Sequence, residues 1–157
     1  MAVATNNKRK AIRDKVKELL EASGSFTGFT INNNRMIGIP PEKLPAIIIF
    51  NGDELWTETP DQAGYQVDGN LLVRVISNAK LAPEILNTGE VFADDQLDAI
   101  GTLIEDVLTG PRFTLTGLTR IFRIADQTFG FSEDKETETL FFLTIKFFYK
   151  YQVAFPV

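Results

Sequence analysis

The chain of 157 residues contains no histidine and no cysteine. Without cysteine there can be no disulfides, no thiolate metal sites and no cysteine nucleophile. Without histidine the usual general base and the commonest zinc ligand are missing. A Ser-His-Asp triad is impossible, and a zinc hydrolase is strongly disfavoured. Long hydrophobic runs are also lacking: the apolar stretches are strand-sized, far short of the ~20 residues needed to cross a bilayer. The opening MAVATNNKRK carries charge, but no apolar stretch follows it, so no signal peptide is expected and cytoplasmic residence follows. A phosphate-cradling loop is missing too, since Gly24-Ser25-Phe26-Thr27-Gly28 lacks the lysine and the strand-to-helix setting that such a loop requires.

What remains is an ordinary globular composition, 44% hydrophobic and 24% charged, with a net charge of −5. That balance argues against non-specific nucleic-acid binding, which depends on Lys and Arg neutralising phosphates. It suits a surface past which DNA moves without sticking, and equally many cytosolic proteins. The length fits one domain over residues 1–157, able to bury roughly 68–70% of its unfolded surface.

The strongest pattern is Thr139 to Val153, TLFFLTIKFFYKYQV, which alternates with a period of two. Phe141, Leu143, Ile145, Phe147, Tyr149, Tyr151 and Val153 share one face, as only an extended strand allows. The other face mixes Phe142 and Phe148 with Thr144, Lys146, Lys150 and Gln152. Either another protein covers that face, or the two phenylalanines form a second small core beneath the Ser25–Leu44 segment.

Upstream, Asn7 to Ser23 predicts an amphipathic helix with Ile12, Val16, Leu19 and Leu20 in its stripe and Arg13, Lys17, Glu18 and Glu21 opposite; Gly24 ends it. Ser25 to Leu44 reads as an irregular connection with one short strand near Phe29–Ile31. Ala46 to Phe50 predicts a strand buried on both faces. Asn51 to Gln66, NGDELWTETPDQAGYQ, predicts an exposed loop or protruding hairpin, since segments of this length without structure of their own are functional or mobile. Its Trp56 either folds back to pin the segment or anchors a partner. Val67 to Asn78 predicts a strand, and Asp94 to Leu108 a helix capped by Asp94 or Asp95, with Leu97, Ile100, Ile104, Val107 and Leu108 in its stripe. Leu118 to Phe131 predicts a further strand, with Ile121, Arg123 and Ala125 facing away from Phe122 and Ile124. The expected fold is α+β, a sheet of about four mostly antiparallel strands with both helices on one face.

Candidate chemistry is thin. Asp94, Asp95 and Asp98 could coordinate Mg²⁺ or Ca²⁺, but helix capping accounts for them. Asp53, Glu54, Glu58 and Asp61 could act as paired carboxylates, but nothing in a Gly- and Pro-punctuated segment raises a pKa. The acidic run Glu133 to Glu138 reads as a solvated turn. No catalytic, metal or cofactor constellation stands out, and the chain is not expected to be an enzyme.

The segments KVKELLEA, LPAIIIFNGDE, NLLVRVISNA, DDQLDAIGTLIEDVL, LTRIFRIADQTFGF and TLFFLTIKFFYKYQ, taken in order, resemble the tail terminator proteins of long-tailed bacteriophages, the minor tail protein U type. The resemblance spans nearly the whole chain and rests on element order and strand pattern. The Ser25–Leu44 connection and the segment around Trp56 are longer than that family leads one to expect. The resemblance implies an α+β subunit of a virion tail, assembled in the host cytoplasm as a homohexameric ring. Such a ring caps the tail tube protein, ends polymerisation and presents the surface where head-tail connector proteins dock. DNA would be passing cargo only, with no membrane and no cofactor. On this reading Arg120, Phe142 and Phe148 fall at subunit contacts and Trp56 in the mobile segment. Two other readings stand beside it: a different neck or tail-completion protein, and an α+β domain that uses its aromatic sheet face to bind a small ligand.

Overall fold

The computed structural model describes residues 8–34, 39, 41–78, 93–109, 115, 117–133 and 139–155. In chain order the elements are α1 (Lys8–Ala22), β1 (Thr30–Asn32), a 3₁₀ turn (Pro41–Lys43), β2 (Ala46–Glu58), β3 (Gly64–Asn78), α2 (Ala93–Leu108), β4 (Ile121–Glu133) and β5 (Thr139–Ala154). The strands form one five-stranded sheet in the order β1-β2-β3-β5-β4. β1 runs parallel to β2, and every other pairing is antiparallel. The fold is α+β as expected. The sheet has one more strand than the four anticipated, because three residues, Thr30–Asn32, pair with Ala46–Ile48. This is the short strand expected near Phe29–Ile31, which the count of four left out.

The alternation in β5 sets the core. Across the middle of the sheet Ile49, Val73 and Ile145 stand side by side, as do Ile47, Val75 and Leu143. All six are fully buried. Both helices lay their stripes on this face: Ile12, Val16 and Leu20 from α1, and Leu97, Ile100, Ile104 and Leu108 from α2. Phe122 stacks flat on Phe147, centroids 4.9 Å apart. Each such side chain contributes about 1.5–3 kcal/mol of transfer free energy, so this face holds the domain together.

Three local expectations need correction. Arg13, assigned to the outer face of α1, is turned toward the sheet, where its Nη1 donates to Asn51 Oδ1 at 3.0 Å. Asp94 and Asp95 lie within the first turn of α2, which begins at Ala93, and so do not cap it. β4 continues past Phe131 to Glu133, and its alternation breaks midway because Ala125 is an extra residue between the pairs Ile124–Phe147 and Asp126–Lys146. Beyond that bulge Gln127 and Phe129 return to the face of Phe122 and Ile124. The turn expected within Glu133 to Glu138 lies outside the described residues apart from Glu133.

Candidate assembly surface

Asn51 to Gln66 is the outer half of a β-hairpin. β2 runs to Glu58, β3 starts at Gly64, and Glu58 pairs with Tyr65. Asp61 organises the turn: its Oδ1 accepts from the Thr59 hydroxyl at 2.5 Å and the Ala63 N–H at 3.1 Å. Those two bonds, Thr59 foremost, hold its carboxyl below the usual range. Gln62 takes the left-handed conformation. Gly64 is needed where the hairpin meets the end of β5, since a Cβ there would lie 2.0 Å from the Val153 carbonyl oxygen.

The hairpin carries an irregularity with consequences. Asn51 pairs with Leu71 but Glu54 pairs with Gly69, so β2 spends one extra residue at Gly52-Asp53. That bulge turns Glu54 onto the helix-covered face. Its side chain is only 6% exposed. Oε2 accepts from the Tyr149 hydroxyl at 2.6 Å and the Tyr151 hydroxyl at 3.1 Å. Oε1 lies 3.4 Å from Arg9 Nε and accepts from Trp56 Nε1 at 3.4 Å. Asn51 Nδ2 donates to the Tyr149 hydroxyl at 3.4 Å and links the group to Arg13. The start of α1, the bulge and β5 are thereby tied by one polar network.

Burial foremost, and then the Glu54 carboxylate, push the Tyr149 phenol well above its ordinary 10.0; Tyr151 adds to this and Asn51 opposes it. Tyr151 is raised by burial and by Glu54, with Arg9 opposing. In the unfolded chain these phenols lose their protons near pH 10, while in the fold they keep them. The unfolded state therefore binds fewer protons above that pH, and stability falls as pH rises. The melting temperature should decline from about pH 10 upward, and the double substitution Tyr149→Phe, Tyr151→Phe should flatten that decline. An identical alkaline slope in wild type and double variant would refute the assignment.

The opposite sheet face bears neither helix. At one end it holds a small cluster of Leu44, Ala46, Ile48 and Ile76, against which Ile39, Phe50, Leu140 and Phe142 pack. Phe142 is thus half-buried in a second core. Further along, Phe148 lies partly open with the Arg123 guanidinium 5.4 Å from its ring centroid. Arg74 sits 5.3 Å from the Phe50 ring centroid and donates from Nε to Thr144 Oγ1 at 3.1 Å. Lys146–Asp126 and Lys150–Asp68 complete the row.

Of the four residues singled out from sequence, Phe142 and Phe148 share this face. Arg120 is exposed just ahead of β4, with its N–H bonded to the Lys150 carbonyl at 2.7 Å. Trp56 stands apart on β2, on the opposite margin of the sheet. It lies on a paired strand, 39% exposed, edge-on to Tyr65, which is in turn edge-on to Phe155. Sequence reasoning missed Leu55, 65% exposed, and named Glu54 only as one of four hairpin carboxylates, not as the acceptor of a buried network. The signal for Glu54 was the Tyr149–Tyr151 pair, two hydroxyls on a core face that need an acceptor. Asp95 and Asp98 are exposed, and among the described residues no group of three or more His, Cys, Asp or Glu could hold a metal ion.

No family model matches the sequence, and no curated protein matches it. The fold, however, has a solved counterpart. A chain in the structure titled "Virion of native gene transfer agent (GTA) particle" superposes with a TM-score of 0.50 at 17% identity, covering 90% of this chain and 94% of that one. At that identity the likeness establishes a shared fold. It extends over nearly the full length of both chains.

Proposed function

We propose that this chain is a non-catalytic structural protein of a phage-type virion, which assembles as a ring on the end of the tail tube. The ring ends tube polymerisation and offers the surface on which the head docks. The observation that carries the reading is the full-length fold shared with a chain of a gene transfer agent virion. The element order that resembles tail terminators points the same way. So does the sheet face left bare by both helices, where Phe148 and Arg123 stand open to a partner. The net charge of −5 suits a ring through which DNA passes without adhering.

The test is solution mass by light scattering across a concentration series, followed by binding to purified tail tubes. The expected result is about six times the 17.6 kDa chain mass, or a monomer that shifts to that mass as concentration rises. Tubes assembled with the protein present should be capped and stop growing. A chain that stays monomeric and also fails to bind tubes would end this reading.

A further inference from the structure

Both margins of the sheet end in a long strand whose outer side, among the described residues, is unpaired over the same stretch. β1 covers β2 only at Ala46–Ile48, so Glu54–Glu58 has no strand beyond it, and β4 has none along its outer side. Edge peptide groups left open are templates for another strand. The two margins are also matched in height. Leu55 is paired with Asp68, Asp68 with Lys150, and Lys150 with Ile121. Leu55 and Ile121 are thus the two ends of one row. In the same way Glu54, Gly69, Tyr149 and Phe122 form the next row, and Arg123 falls level with the Gly52-Asp53 bulge. Each margin carries one bulge, and the two bulges lie at nearly the same height.

The charges on the two margins are opposite. Asp53 and Glu58 are exposed on the β2 side, Arg120 and Arg123 on the β4 side. Among the described residues none of the four has an ion-pair partner. β2 and β4 also point in opposite directions, since three antiparallel pairings separate them. A copy rotated about an axis along the strands keeps its strand direction and gains no height. Its β2 would therefore meet β4 antiparallel, with complementary residues at equal levels.

We propose that copies of this chain join head to tail through these margins, the outer part of β2 of one copy continuing the sheet beside the start of β4 of the next. Leu55 packs beside Ile121, and Asp53 lies beside Arg123. The contact is heterologous, and because its rows meet at equal heights each step adds no rise, which is the condition for a ring and not a filament. This inference rests on the ring reading above and specifies its joint.

The absence of cysteine makes the test clean. Two double variants, Leu55→Cys with Ile121→Cys and Asp53→Cys with Arg123→Cys, are oxidised in solution and on tail tubes, then run without reductant. Antiparallel neighbours lie within disulfide reach. At least one double variant should give a ladder of linked chains, while each single variant stays unlinked. Arg123→Glu should lower the assembled fraction about tenfold, and adding Asp53→Arg should restore it. Circular dichroism on every variant confirms that it is folded. Oligomers that form but neither cross-link in either pair nor respond to the charge exchange would overturn the joint and leave the ring standing. Chains monomeric in solution and absent from tubes would overturn both.

Discussion

Replacing Glu54 with alanine should cost about 2–4 kcal/mol of folding stability, a far larger effect than any exposed carboxylate of the hairpin would show. Most of that cost comes from what is left behind. Tyr149 is fully buried and Tyr151 nearly so, and both donate to Glu54 Oε2. Once the carboxylate is gone, neither hydroxyl has an equivalent acceptor, and the Arg9–Glu54 pair is lost with it. For a chain of this length each kcal/mol moves the melting temperature by roughly 2–4 °C, so a thermal melt should shift down by about 5–15 °C. Glu58→Ala, at an exposed position four residues on along the same strand, should stay within about 0.5 kcal/mol of wild type. Much of the lost stability should return in the triple variant Glu54→Leu, Tyr149→Phe, Tyr151→Phe, where no polar group is stranded. Equal melts for the Glu54→Ala and Glu58→Ala variants would refute the network's structural role.

A second large effect is expected at Gly69, which lies in the row between Glu54 and Tyr149. A Cβ built there would stand 2.5 Å from a Tyr149 ring carbon and 2.7 Å from its hydroxyl oxygen. The ring cannot swing aside cheaply, because its hydroxyl is held by Glu54 and Asn51. Gly69→Ala should therefore destabilise by about 2–3 kcal/mol, at the upper end of what overpacking costs. The cause is open to a double-mutant cycle. In a Tyr149→Ala background the same glycine substitution should cost no more than about 0.5 kcal/mol. A penalty unchanged between the two backgrounds would show that the ring is not what glycine accommodates.

These two positions mark the boundary of what the sequence made legible. β5 could be read residue by residue, because its helix-facing side is uniformly apolar and its period is two. The stripes of α1 and α2 were readable for the same reason at helical spacing. The outer half of β2 was not. Asn51, Gly52, Asp53 and Glu54 are poor strand formers, and they are extended because β3, anchored on β5 along its whole length, offers them a ladder. Local composition points to a loop there, and tertiary pairing overrides it. Glu54 was hidden by the same circumstance, since plain alternation from Ile48 and Phe50 assigns it to the face opposite Tyr149. Arg13 looked like one more solvent-facing charge on α1 until Asn51 stood across from it. On the bare face the pattern left two readings of Phe142 and Phe148 open, and the fold separates the pair: Phe142 joins the second cluster, while Phe148 lies under Arg123.

The extra residue at Gly52-Asp53 gives the hairpin something like a reading frame. Upstream of it, even-numbered positions of β2 face away from the helices; downstream, even-numbered positions face toward them. Deleting one residue at Gly52-Asp53 would remove the extra residue and leave Glu54 opposite Gly69, still on the helix-covered face, whereas a one-residue change in the regular ladder beyond Glu54 would exchange the sides of every later position. Loss of Leu55, for example, would cast Trp56 onto the bare face. The bulge is thus the one place in β2 where a single residue can be lost without turning the network out, while in the regular ladder beyond it only changes of two residues keep each side chain on its face.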